Sequence, residues 1–273
     1  MIKTIITPTI AICALCGALH AQAQTTTIAD WDFDTLGTIA APYNTPSATT
    51  GTGSASILGM NNSYNGTTST ADGDVTSTPN ASTGSGSYAW RIRGTTGNGY
   101  STSAPIGTQG VEFDASTTGF ENIQISFDIY FTTAAPAEIQ LQYTTDGSTW
   151  INASELAYAT KSSYILNNSS NPNLVNGTYF YETGGQAWYN ELTANLSLAS
   201  GVANDSSFGI RIVNAATGTA ETTSTGAAYG NSSGNWRFDN VTITGTAVPE
   251  PSTVALMGLG LAGVAALRRK LKA

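Results

Sequence analysis

Asp30, Asp32 and Asp34 fall at every second position, so a strand running through them would line three carboxylates along one face. Hard anionic oxygens in that arrangement suit calcium. Asp239 or Asn240, near the other end of the chain, would add ligands if the two ends pair. Asp72-Gly73-Asp74 is a shorter acidic turn of the same kind. The plainer reading of all these acids is a wet, solubilising surface. A second chemistry is carboxylate acid–base work, for which Glu112, Asp114, Glu138, Glu155, Glu182 and Glu191 are candidates. A glycosidase holds two carboxyls about 5 to 10 Å apart, and no motif in this chain selects such a pair. A third is sugar stacking by Tyr64, Tyr100, Tyr179, Phe180, Tyr181 and Tyr229, which sit in Asn- or Gly-rich surroundings. Tyrosine is amphipathic and often half buried, so packing is the competing role for each.

Other chemistries are excluded by what the exported part of the chain lacks. The start has the form of a secretory leader: Lys3, a mostly apolar run from Ile5 to Leu19, and the small-x-small site Ala21-Gln22-Ala23, with cleavage expected before Gln24. Cys13, Cys16 and His20 all lie upstream of that cut. The mature chain therefore has neither thiol nor imidazole. That rules out Ser-His-Asp triads, cysteine nucleophiles, ordinary zinc or copper sites and disulfides. We assign no catalytic residue, require no cofactor, and regard calcium as the one ion these residues could hold.

Charge narrows the partners. Between the leader and the C-terminal segment, five basic residues (Arg91, Arg93, Lys161, Arg211 and Arg237) face 17 acidic ones, a net charge of −12. Nucleic acid is a poor partner for that balance, and a polyanionic polysaccharide would be repelled unless a cation bridged it.

The elements that must position these groups are strands. The chain shows no sustained helical period and is dense in Thr, Ser, Gly and Asn. Ile123, Ile125, Phe127, Ile129 and Phe131 alternate with polar residues over Asn122 to Phe131. Ala137 to Tyr143 repeats the pattern through Ile139, Leu141 and Tyr143. Asp146-Gly147 makes a tight turn towards Trp150, which then packs in the core or over the turn. Further strands run through Phe208, Ile210 and Ile212, and through Trp188 and Tyr189. In the last strand, from Asn235 to Thr244, the apolar phase slips between Trp236/Phe238 and Val241/Ile243, which predicts a bulge near Asp239-Asn240. Asn44 to Ser87, poor in large apolar residues, reads as loop-rich. About 220 residues suffice for a single core without disulfide staples.

The C-terminus carries a different signal. Val248-Pro249-Glu250-Pro251 leads into an uncharged apolar run, Val254 to Leu267, and then into Arg268, Arg269, Lys270 and Lys272. At about 1.5 Å per residue the run spans ~20 to 24 Å, short of a ~30 Å hydrocarbon core. The basic tail would orient it with its C-terminal end in the cytoplasm. This order of Pro-Glu-Pro, short apolar helix and basic tail resembles the PEP-CTERM sorting signal of Gram-negative bacteria. The resemblance implies signal peptidase and exosortase as processing partners, transient anchoring in the inner membrane, and a final place at the cell surface or outside the cell.

A wider resemblance follows from the order of Trp31-Asp32-Phe33-Asp34, Gly119-Phe120-Glu121-Asn122-Ile123, Gln142 to Trp150, Phe208 to Val213 and Trp236 to Val241. It is similar to the exported β-sandwich domains common among PEP-CTERM proteins. The expected organisation is a signal peptide (1–23), one all-β antiparallel sandwich of jelly-roll or concanavalin-like type (24–247), and a sorting segment (248–273) with a transmembrane helix over 254–267. The expected role is structural or adhesive and non-catalytic. The alternatives are a carbohydrate-binding module acting on exopolysaccharide and, third, a carboxylate-dependent glycosidase.

Overall fold

The computed structural model describes residues 24–67, 88–93, 100–153, 157–158, 165–166, 179–181, 187–215, 221–223, 225–230 and 234–248. The leader, the Asp72-Gly73-Asp74 turn and the apolar run after Pro251 lie outside them. Among the described residues no helix is long and apolar enough to cross a membrane.

Two antiparallel sheets face each other. The first contains β1 (Thr25–Trp31), β2 (Thr50–Gly51), β4 (Asn62–Thr67), β5 (Tyr88–Arg93), β7 (Phe120–Phe131), β10 (Ala157–Tyr158), β13 (Ala187–Asn195) and β15 (Trp236–Ala247). The second contains β3 (Ser54–Leu58), β6 (Gly110–Asp114), β8 (Glu138–Thr144), β9 (Ile151–Asn152), β11 (Ile165–Leu166), β12 (Tyr179–Tyr181) and β14 (Gly209–Asn214). The fold is thus the all-β antiparallel sandwich that the alternation implies. The chain ends pair as well: β1 lies along β15 with Trp31 opposite Val241.

The inward positions make one core. Ile123, Ile125, Phe127, Ile129 and Phe131 of β7 are all buried, as are Ile139 and Leu141 of β8 and Ile210 and Ile212 of β14. Phe113 of the second sheet joins the layers, its ring centroid 4.9 Å from that of Trp31, 5.9 Å from Trp90 and 6.4 Å from Phe238. Edge-to-face packing of this kind adds to the gain from burial alone. The phase slip in β15 is a bulge: pairing with β7 shifts between Asp239 and Thr242, and Asn240 takes a φ of 48° to absorb the extra residue.

Three expectations need correction. Asn44 to Ser87 holds β2, β3 and β4 in its described part. Apolar patterning misses β4 because its inward residues are polar. Ser63 and Asn65 are fully buried, and Asn65 Nδ2 donates to the carbonyls of Phe33 and Gly37 at 2.8 and 2.7 Å. Internal partners let amides replace aliphatics there. The outer face of β7 is not wet throughout, since Asp128 and Tyr130 are buried too. The first strand also ends at Trp31, and the chain turns into a 3-10 helix at Asp34–Leu36.

Candidate functional site

The early end of β1 separates the N-terminal acids. Asp30 stays on the strand and accepts a hydrogen bond from Thr242 Oγ1 at 3.0 Å, while burial raises its pKa. Asp32 turns back and accepts the Asp34 N–H at 2.9 Å. Asp34 accepts the Tyr88 N–H through Oδ1. Asp239 is fully buried, and its Oδ1 accepts the N–H groups of Asn240 at 2.9 Å and Phe33 at 3.4 Å. Asn240 Nδ2 donates to Asp128 Oδ2 at 2.9 Å. The pairing of the chain ends does bring Asp239 to this corner, but Asp32, Asp34 and Asp239 accept backbone N–H groups, Asp30 accepts a hydroxyl, and the four do not line one strand face. Among the described residues no group of three or more acidic, His or Cys side chains is placed to hold a metal ion.

A better-built constellation lies on the outer face of the second sheet, where an open cleft of about 540 Å³ runs past Glu112, Asp114, Asp146 and Phe208. β6 points Val111 and Phe113 inward, so Glu112 and Asp114 face outward. Arg211 on β14 sits directly opposite Glu112. Its Nε and Nη2 reach Glu112 Oε2 at 2.7 and 2.6 Å, and its guanidinium lies 3.7 Å from the centre of the Trp150 ring. Trp150 therefore packs outside the core, held flat by a cation. Gly209 makes room for this cluster, because a Cβ there would stand 2.4 Å from Asp114 Oδ1 and 3.3 Å from the Trp150 ring. Burial, then the neighbouring Glu112 charge, pushes Asp114 up to about 6, so it is mainly an acceptor at neutral pH and gains a donor as the pH falls through 6. At the rim, Asp146 Oδ1 accepts the N–H groups of Ser148 and Thr149 at 2.8 and 2.6 Å, which holds that carboxyl well below the usual range. The cleft itself is lined by the carboxylates Glu112, Asp114 and Asp146 and by serine and threonine side chains, groups that can hydrogen-bond hydroxyls, and the Arg211–Trp150 pair sits beside it at Glu112.

Two further acids are buried at one end of β8. Glu138 accepts Thr222 Oγ1 at 2.6 Å, and burial pushes it up to about 7. Glu221 is buried with no hydrogen-bond partner on either carboxyl oxygen, and burial followed by the Glu138 charge pushes it up to about 8. Tyr229 donates to the Tyr100 carbonyl at 2.9 Å, and the Tyr100 ring packs at a tilt 4.4 Å from that of Trp236. Tyr100 and Tyr229 are therefore core residues, not platforms. Of the other aromatic candidates, Tyr64 is half-buried on the outer face of the first sheet, and the side chains of Tyr179, Phe180 and Tyr181 lie outside the described residues. Among the carboxylates, Glu112 and Asp114 are brought together; Glu138 is paired with Glu221, which spacing did not single out. Glu191 sits apart on β13, and Glu155 and Glu182 lie outside the described residues. Trp150 and Arg211 as a unit escaped sequence reading because they meet only through cross-strand geometry.

No curated protein matches the chain in sequence. Among solved structures, a carbohydrate-binding module described for specific mannan recognition, TmCBM27, covers 82% of this chain and 99% of its own at 10% identity and a TM-score of 0.31. Modules of a Clostridium thermocellum endo-1,4-beta-D-xylanase complexed with xylohexaose also match, over 61% of this chain at 10% identity and a TM-score of 0.27; this chain spans only 23% of that protein. Neither likeness is close enough to assign a ligand. The sequence tail is specific where the sandwich is not: Val248 N donates to the Gly119 carbonyl at 2.9 Å, closing the fold, and β15 ends at Ala247. Residues 247–270 match the PEP-CTERM protein-sorting motif, so the chain carries, directly behind its last strand, the sorting signal of an exported protein.

Proposed function

We propose that this is an exported, non-catalytic sandwich protein that serves a structural or adhesive role at the cell surface or in the extracellular matrix. In this reading signal peptidase removes 1–23 before Gln24, the sandwich over 24–247 is the delivered part, and exosortase acts on 248–273. Val254 to Leu267 anchors the chain briefly in the inner membrane, with Arg268, Arg269, Lys270 and Lys272 in the cytoplasm. The single observation that carries the reading is the start of the sorting motif at the last residue of β15. A folded body followed at once by Pro-Glu-Pro, whose prolines resist helix formation, is a substrate that a membrane-bound processing enzyme can read. The carboxylates support a non-catalytic role, since Glu112 is engaged by Arg211 and Glu138 by Thr222.

Replacing Pro249-Glu250-Pro251 by Ala-Ala-Ala in the producing cell, followed by fractionation and C-terminal mass analysis, tests the reading. The variant should stay uncleaved in the inner membrane. Delivery of a normally trimmed product would refute it.

The second-sheet cleft favours carbohydrate binding as a second reading, because Glu112, Asp114 and Asp146 line an open surface with the Trp150 ring, capped by Arg211, next to it. Binding to a panel of neutral glycans, compared with Trp150→Ala, decides this. The same panel with and without calcium, using Asp32→Ala and Asp239→Ala, shows whether the N-terminal acids contribute a metal.

A further inference from the structure

The outer face of the first sheet carries a second and opposite patch. Inward positions of β5 and β15 are Trp90, Ile92, Trp236 and Phe238, all fully buried. The alternation therefore sends Arg91, Arg93 and Arg237 to the other side. Arg237 pairs directly with Arg91 across the strands, Tyr64 lies opposite Arg91, and Tyr130 lies opposite Arg237. A row thus runs Tyr64, Arg91, Arg237, Tyr130 across four strands, with Arg93 two residues along. The Arg237 guanidinium lies 4.8 Å from the Tyr130 ring centre, and those of Arg91 and Arg93 lie 5.3 and 5.6 Å from that of Tyr64. Arg91 is fixed further by Nε donating to Asn235 Oδ1 at 2.9 Å and Nη1 donating to the Tyr64 hydroxyl.

This row is anomalous in a chain so rich in acids. Like charges directly opposed in a sheet destabilise it, yet three of the five cations between the leader and the sorting segment stand together. Among the described residues the only ion pair is Arg211 with Glu112, on the other sheet. Arg237 Nε is buried without a hydrogen-bond partner. On the same face, Asp239 and Asp128 accept the N–H groups of Asn240 and Glu191 at 2.9 and 2.6 Å. Burial first, and the neighbouring guanidiniums with it, lower the pKa of Arg91 and of Arg237, as expected of cations whose charge is not compensated.

We infer that this row is a binding face for a carboxylate-bearing polysaccharide, a polyuronate, whose carboxylates are met by Arg91, Arg93 and Arg237 while Tyr64 and Tyr130 hold the guanidiniums in place. Planar guanidiniums match carboxylates in paired hydrogen bonds, and their rigid forks lose little freedom on binding. Tyr130 is buried at one end of the row, and the partly exposed side chains, Tyr64, Arg91, Arg93 and Arg237, span three neighbouring strands, an array that suits successive carboxylates of an extended polymer better than a single small anion. The surrounding acidity would repel a polyanion everywhere else, which concentrates it on this island. The expectation from net charge alone, that a polyanion needs a bridging cation, is thereby revised. This inference goes beyond the proposed delivery and does not depend on the second-sheet cleft.

The test uses the full chain in mild detergent, with affinity electrophoresis in gels containing polygalacturonate, its fully methyl-esterified form, or dextran sulfate. Polygalacturonate should retard the protein at about 0.05 M salt and release it near 0.5 M. Arg93→Gln and Arg237→Gln should each weaken binding about tenfold, while Arg211→Gln leaves it unchanged. Arg93 and Arg237 make no side-chain hydrogen bond among the described residues, so both variants should fold, and circular dichroism checks this. Equal retardation by the esterified polymer or by dextran sulfate, unchanged binding in the arginine variants, or loss only in Arg211→Gln would each overturn the assignment. Failure here leaves the Pro-Glu-Pro sorting experiment untouched.

Discussion

The two outer faces of the sandwich obey the same alternation and end in opposite chemistry. On the second sheet one guanidinium, Arg211, meets a carboxylate directly opposite and an aromatic ring above it, so the charge is locally balanced. On the first sheet three guanidiniums stand together, held among the described residues by tyrosine rings, a tyrosine hydroxyl and an amide. Net charge describes neither face. An acidic chain can carry a basic site because strand pairing, not sequence distance, decides which charges become neighbours.

The largest disturbance of this contrast comes from the layer between the faces. Phe113 is fully buried against Trp31, Trp90 and Phe238, and Phe113→Ala should cost about 3 to 5 kcal/mol. Denaturant titration should show a lower midpoint with an unchanged slope. A cost near zero would mean that the sheets do not share this core.

A smaller effect, of defined sign, separates buried acids from surface ones. Glu221 and Glu138 are pushed up to about 8 and about 7, so above the ordinary carboxylate range the folded chain keeps protons that the unfolded chain releases. Their contribution is complete below about pH 4 and is lost as pH rises through 7 to 8, with a slope of roughly 1.4 kcal/mol per pH unit for each group still protonated. Glu221→Gln should match the parent protein near pH 5, exceed it in stability near pH 8.5, and show a flatter profile. Parallel profiles would place Glu221 in water.

The smallest effect sharpens the comparison most. Arg211→Gln removes a partly buried surface ion pair and should destabilise by about 1 kcal/mol. Arg237→Gln relieves an uncompensated cation and should be neutral or slightly stabilising without ligand. If Arg237→Gln proved the more damaging of the two, the row would be structural.

Much of the fold was legible because apolar alternation is local. Ile123, Ile125, Phe127, Ile129 and Phe131, then Ile139, Leu141 and Tyr143, and Phe208, Ile210 and Ile212 are all buried as their alternate spacing implies. The phase slip at Asp239-Asn240 marked a bulge because one extra residue must reverse the faces. β4 was illegible, since Ser63 and Asn65 are buried through hydrogen bonds whose partners lie far away in sequence. The candidate sites fared worse. Asp30, Asp32 and Asp34 keep an even spacing, but the strand stops at Trp31, so that spacing does not put them on one strand face.

The sequence by itself determined the strand content and the sorting motif at 247–270, because alternation and a short linear signal need only near neighbours to be read. Only the tertiary structure decided the two faces, by pairing β5 with β15 and β6 with β14. Charge chemistry depends on which strands lie side by side, and residues 91 and 237 become neighbours only when the sheet closes.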